Sequence, residues 1–200
     1  MGMILINIEE ITRLQEQTIQ RWKLSGVDLK ADGFLGIVEE NHAFNFQLWH
    51  AEDKARRDDL GYEFVYLAKR EIDRNNQKRN DRMEAMDLFL SECLSPNFSS
   101  ECAVHSETPG MMIDRLSILA LKSYHMNIEA NRLTADESHR KMCQQKLNVI
   151  LMQRKQLAEC LQNLIQEILD KTKTFYTYRQ FKMYNDKSLN PQLYQDEINS

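Results

Sequence analysis

Glycine and proline are scarce in this chain, 6 and 3 in 200 residues. All-β sandwiches and doubly wound α/β sheets need frequent tight turns, so that scarcity excludes them and leaves long helices. Cysteine is sparse and unpatterned: Cys93, Cys102, Cys143 and Cys160 form no Cys-x-x-Cys pair and no zinc-ribbon spacing, so neither a disulfide frame nor a structural zinc site is expected. No run of about 18 apolar residues is present to span a bilayer. The apolar N-terminus has neither a cationic leader nor a small-residue cleavage site. Excess positive charge is missing as well. The net charge of −4 gives no electrostatic reason to seek nucleic acid or an anionic membrane, so any anion site has to be local. The expectation is a reduced, cytoplasmic protein with no nucleic-acid and no membrane partner. Catalytic signatures are also lacking: there is no glycine-rich phosphate loop, no Gly-x-Ser-x-Gly elbow and no His-Glu-x-x-His.

What is there is 42% hydrophobic and 28% charged residues, enough for one domain over 1–200 with a substantial core and no staples. A first helix is expected over about 8–24, ended by the 25–33 segment. A second occupies about 35–57, and Asp58-Asp-Leu-Gly61 separates it from a third that runs to about Leu94. A loop follows over about 95–107. Thr108-Pro109-Gly110 supplies a capping hydroxyl and a first-turn proline for a fourth helix to about Arg132. Thr134-Ala-Asp-Glu137 reads as a capping box opening a fifth to about Lys173, with Leu147, Ile150, Leu157, Leu161, Leu164 and Ile168 at the helical period. The fold class is all-α: a bundle of four to five long antiparallel helices. Its tail, about 175–200, is aromatic enough to pack on the body.

The second helix carries most of the unusual chemistry. At about 100° per residue, Phe44, Leu48, Ala51 and Ala55 form an apolar stripe, while His42, Asn45, Trp49, Glu52, Asp53 and Arg56 share a second arc only about 100° wide. In the third helix Asn76 and Arg79 fall within about 40° of the inward stripe, with Asp73 and Asn80 at its edge. A guanidinium and an amide there need partners from a neighbouring helix, and Glu52 and Asp53 are the candidates. The fourth helix is apolar nearly all round, yet places Asp114 and Arg115 in its first two turns and Lys122 and His125 further on. Its N-terminus offers an anion site that Arg115 would reinforce, and Asp114 also serves as a complement to the helix dipole. Metal is a weaker reading. Glu39-x-x-His42 has a di-iron spacing, with Asp136-x-x-His139 as its partner, and His50 and Asp53 could combine with His125 and Glu129. The remaining carboxylates are missing and His139 opens a helix, so a protein-ligated transition metal is not expected. Grouped carboxylates do admit magnesium.

Four blocks, Asn45-Phe-Gln-Leu-Trp-His-Ala-Glu-Asp-Lys-Ala-Arg56, Lys69-Arg-Glu-Ile-Asp-Arg-Asn-Asn-Gln-Lys-Arg-Asn-Asp81, Thr108-Pro-Gly-Met-Met-Ile-Asp-Arg-Leu-Ser-Ile118 and Tyr178-Arg-Gln-Phe-Lys-Met-Tyr-Asn-Asp186, together resemble an uncharacterised bacterial family known as a domain of unknown function. The resemblance implies an intact domain and no established activity. The chain departs from the family pattern at Arg57-Asp-Asp-Leu-Gly61, which has no proline.

Two readings follow from the residues. In the first, a small-molecule site for an anionic ligand, phosphorylated or sugar-nucleotide-like, lies between the second, third and fourth helices. Arg56, Arg79 and Arg115 would hold the anion, Asn45, Asn76 and Asn80 would orient the ligand and Trp49 would stack on it. Glu52 or Asp53 would serve as acid, base or magnesium ligand, and Asp114 and His125 would complete the site. In the second, an interaction or scaffold protein uses the same polar seam only to fix helix register. A homodimer is compatible with either, and whether the chain is an enzyme is left open.

Overall fold

In the computed structural model the chain is described over residues 6–179, 181 and 188–194. Five long helices account for most of it: α1 (Ile8–Ser25), α2 (Gly33–Lys54), α3 (Tyr62–Leu94), α4 (Pro109–Ala130) and α5 (Glu137–Leu169). A four-residue α6 (Pro191–Tyr194) lies in the tail. The all-α bundle holds. Three of the five long helices, α1, α4 and α5, begin where a side chain satisfies a free backbone donor. Asn7 accepts from the Glu10 amide at 3.2 Å and Thr108 from the Met111 amide at 3.2 Å. For α5 the capping residue is Asp136, whose carboxylate accepts from the His139 amide at 2.7 Å, not Thr134 as the capping-box pattern implied. Helix α2 ends at Lys54, followed by a 3₁₀ turn over Asp58–Leu60 and by Gly61 at a φ of 85°. That left-handed glycine makes the break without proline.

The helices form two antiparallel hairpins, α2–α3 and α4–α5, with α1 against α2 and α4. The antiparallel sense is visible in the cross-links, with Lys54 on Glu71, Asn41 on the Arg79 carbonyl and Glu40 on Arg82. The largest apolar cluster joins Ile11, Val38, Met86, Leu90, Ile113, Leu116, Leu161 and Ile168 from all five helices. A second joins Ile19, Trp22, Ala43, Phe46, Ala120 and Leu121, and a third holds Leu48, Ala51 and Ile72. Along α2 and α4 the buried polar residues Asn41, His42, Asn45, Asp114 and Ser117 lie where the first two clusters meet.

The 95–107 segment is less irregular than expected. Ala103–Val104 (β1) pairs in parallel with Lys173–Thr174 (β2), matching Ala103 to Lys173 and Val104 to Thr174, and the His105 amide donates to the Thr174 carbonyl at 2.8 Å. Lys171, itself at a φ of 60°, donates from Nζ to the carbonyls of Leu94 and Ser95 at 3.0 and 2.5 Å. It thereby satisfies the C-terminal carbonyls of α3, a role for which lysine is suited. A local sequence pattern cannot announce such a pair, since β2 lies about seventy residues away. Of the aromatic tail, Phe175 is buried in the main core while Tyr176 and Tyr178 are half exposed and Phe181 is largely exposed. Residues 180, 182–187 and 195–200, with most of the last sequence block, lie outside the described residues.

Candidate functional site

The seam of α2, α3 and α4 divides into a closed network and an open cleft. Asp114 anchors the network. Its Oδ1 accepts from Arg79 Nε at 2.9 Å, Asn41 Nδ2 at 3.0 Å and Asn45 Nδ2 at 2.8 Å, and its Oδ2 accepts from Arg79 Nη2 at 2.9 Å. The Arg79–Asp114 contact is therefore a two-point fork, the geometry that makes guanidinium–carboxylate pairs strong and directional. Ser117 Oγ, one turn on, accepts from Asn45 Nδ2 at 3.0 Å and lies 2.7 Å from His42 Nδ1. Burial lowers the pKa of His42 to about 3, against the smaller upward effect of its backbone contact with Gln15. The ring is thus neutral at physiological pH and carries one N–H only.

This arrangement corrects the expected pairing. Arg79 is answered by Asp114 of α4, not by Glu52 or Asp53 of α2. The anion site expected at the α4 N-terminus is already filled from within the protein: Asp87 of α3 accepts from the Gly110 amide at 2.7 Å and from the Thr108 hydroxyl. Burial raises Asp87 to about 6, outweighing those two hydrogen bonds. Arg115 is also elsewhere, exposed and paired with Glu107. Sequence reading missed Asp87 because its partners are created by tertiary contact between α3 and the start of α4. The sole local signal was an acidic residue amid the apolar positions Met83, Met86 and Leu90.

Glu39 and His42 do not form a metal pair. Glu39 is enclosed in α2 and accepts from Arg21 Nη2 at 2.5 Å and from the amides of Lys30 and Ala31, both at 2.7 Å, which fastens the α1–α2 connection. Among the described residues no group of three histidine, cysteine, aspartate or glutamate side chains has metal-binding geometry, and no helix is long and apolar enough to cross a membrane. One His–Cys contact escaped the sequence reading: Cys143 Sγ lies 3.4 Å from His139 Nε2, which is also 3.1 Å from Glu129 Oε2.

The open part is a cleft of about 440 Å³ lined by Asn45, Trp49, Glu52 and Asp53 of α2, Arg56 in the turn that follows it, Asn76 and Arg79 of α3, and Leu48, Ile118 and Leu121. Asn45, Glu52 and Arg56 recur at helical spacing, and Trp49 and Asp53 fill the adjacent row, so one side of α2 forms a wall. Glu52 and Arg56 bond to each other across one turn, Nη1 to Oε2 at 2.8 Å, near the solvent. Asp53 is exposed beside them. Arg79 Nη1 reaches Asn76 Oδ1 at 3.4 Å. Besides Arg115, three expected members do not line the cleft directly: Asp114 lies behind Arg79, Asn80 is half-buried outside it, and His125 lies against the indole of Trp49. Their ring centroids are 4.4 Å apart at an interplanar angle of 7°, so one face of the indole is occupied by the protein itself. Burial, with Lys23 and His50 nearby, lowers His125 to about 4, so the stack is between neutral rings.

Comparison with known proteins gives a family and nothing further. The family described as a protein of unknown function (DUF4254) matches residues 35–177, a span that holds the network and the cleft and ends just before the last of the four sequence blocks. No curated protein matches the chain, and no solved structure does.

Proposed function

Because the chain belongs to the DUF4254 family of proteins of unknown function, and membership carries no chemistry, we propose a function from the cleft: it binds an anionic small molecule, phosphorylated or sugar-nucleotide-like. The observation that carries this reading is the gathering of two guanidiniums, two carboxylates, two carboxamides and an indole on one open cavity of about 440 Å³, within the size range of small-molecule sites. The two arginines have different roles. Arg79 is held by its fork with Asp114 and offers its remaining N–H groups from a fixed position. Arg56 is tied to Glu52 by an exposed pair one turn apart, worth only about 0.3–0.5 kcal/mol, so a phosphate can displace Glu52 at little cost. The released Glu52, beside Asp53, would then have the hard oxygens that suit a magnesium ion shared with phosphate.

The test is a thermal-shift and calorimetric screen of phosphosugars and sugar nucleotides with and without magnesium. A ligand present at about 100 times its Kd stabilises the fold by about 2.7 kcal/mol. Arg56→Ala is expected to abolish the shift while leaving the unliganded protein as stable as before. Absence of any shift with every anion would sink the proposal. It would favour the second reading, in which the seam only fixes helix register. That reading draws its support from the network of Asn41, Asn45, Asp114, Ser117 and Arg79, in which both carboxylate oxygens of Asp114 find donors without a ligand.

A further inference from the structure

The cleft contains a hydrogen-bond acceptor whose direction the protein has fixed. Asn45 is 4% exposed, and its amide nitrogen has two hydrogens to give. One goes to Asp114 Oδ1 at 2.8 Å and the other to Ser117 Oγ at 3.0 Å, with Asn41 Oδ1 a distant third at 3.5 Å. Both oxygens of Asp114 already accept from the Arg79 fork, so turning the amide over would set the Asn45 oxygen against an acceptor. Ser117 can accept from Asn45 with either tautomer of His42, because its single hydrogen rotates to suit. Asn45 Oδ1 is left over. Among the described residues it accepts from nothing, it is not one of the enclosed orphan atoms, and its residue lines the cleft. Glu52 and Asp53 follow along the same wall, so α2 presents acceptors from the floor of the cleft to its rim.

We infer that the cleft selects a ligand whose body carries hydroxyl groups, a polyol- or sugar-like phosphate rather than an apolar organophosphate or a bare anion, with Asn45 Oδ1 as the specificity-determining acceptor. This deepens the anion-site reading and rests on it. A fixed acceptor keeps its full value for a ligand hydroxyl, because nothing is reorganised when the bond forms, and it penalises a ligand that covers it without donating. Sites built to bond a hydroxyl discriminate against its absence far more strongly than apolar pockets discriminate a methylene. The hydroxyl body would lie over Leu48, Ile118 and Leu121 with its ring against the indole edge, and Arg56 and Arg79 would take the phosphate.

The experiment titrates the full chain calorimetrically with three probes: inorganic phosphate, cyclohexyl phosphate and myo-inositol 1-phosphate. The last two share anion and ring size and differ in hydroxyls. The inference expects myo-inositol 1-phosphate to bind at least about tenfold more tightly than cyclohexyl phosphate, with inorganic phosphate weakest. It also expects the side-chain amide resonances of Asn45 to move on binding in a ¹⁵N-correlated spectrum. Equal or tighter binding of cyclohexyl phosphate overturns the inference and leaves the anion site standing, as does tight inositol phosphate binding that leaves the Asn45 amide unmoved. Binding of none of the three removes the anion site and this inference together.

Discussion

A side chain's charge says little here until its partner is known, as Arg79, Glu52 and Arg115 illustrate. All three lie on polar rows of their helices, yet only Arg79 is bound to a carboxylate that is itself almost fully enclosed, the side chain of Asp114 being 4% exposed. Arg79→Ala would strand that carboxylate, and a loss of about 3–5 kcal/mol is expected in urea denaturation, the usual consequence of breaking a buried pair from one side. Glu52→Ala and Arg115→Ala remove members of exposed pairs and should change stability by no more than about 0.5 kcal/mol. Equal losses from Arg79→Ala and Glu52→Ala would refute this division of the seam into network and cleft. Residue type and helical phase did bring Asn45, Trp49, Glu52, Asp53, Arg56, Asn76 and Arg79 to one cavity. They could not rank them, because phase gives the side of a helix and not the neighbour opposite.

Helix ends and crossings follow a different logic, in which the absence of a side chain can matter as much as its presence. Where α4 begins, α3 comes so close that a Cβ placed on Gly110 would lie 2.7 Å from the Met83 carbonyl and 2.7 Å from Asp87 Oδ1. Gly110→Ala therefore has to push the two helices apart or break the Asp87 contact, and about 2 kcal/mol of destabilisation is expected as a lowered denaturation midpoint. An unchanged midpoint would mean that the close approach carries no energetic weight. At the other hairpin, Asp136 receives the His139 amide, so Asp136→Ala should cost about 1 kcal/mol and Thr134→Ala almost nothing. The sequence located this helix start correctly and named the wrong cap. Thr134 and Asp136 both suit the position by type, and only the backbone path decides between them. The same limit applies to β1 and β2, whose two-residue pairing depends on where the end of α5 meets the α3–α4 connection.

At the scale of the whole molecule the buried ionisable groups set how stability varies with pH. His42 and His125 are neutral in the fold down to about 3 and about 4 against an ordinary 6.5, and burial lowers His50 and His105 in the same direction. The unfolded chain takes up these protons first, so the stability they support is complete above about pH 6.5 and declines as the pH falls toward the folded values. Asp87 opposes this. Its folded value of about 6 lies above the ordinary 3.8, so its protonation favours the fold as the pH falls through that window. Between about pH 6 and 4 His42 and His125 outnumber Asp87 by one, and stability should fall on acidification by about 1.4 kcal/mol per pH unit, one net proton's worth, with His50 and His105 acting in the same direction. Urea midpoints measured across that range check the sign, and midpoints that hold steady or rise toward pH 4 would contradict it. The sequence by itself determined that this molecule is a bundle of long helices and where each begins and ends within a few residues, because helical period, scarce turn residues and capping side chains are local properties. Only the tertiary structure decided that Asp114 answers Arg79, that Asp87 fills the α4 N-terminus and that Asn45 gives its amide hydrogens to Asp114 and Ser117. Each of these depends on which side chain lies opposite across a helix interface, and there burial makes an unmatched polar group costly enough to select one arrangement.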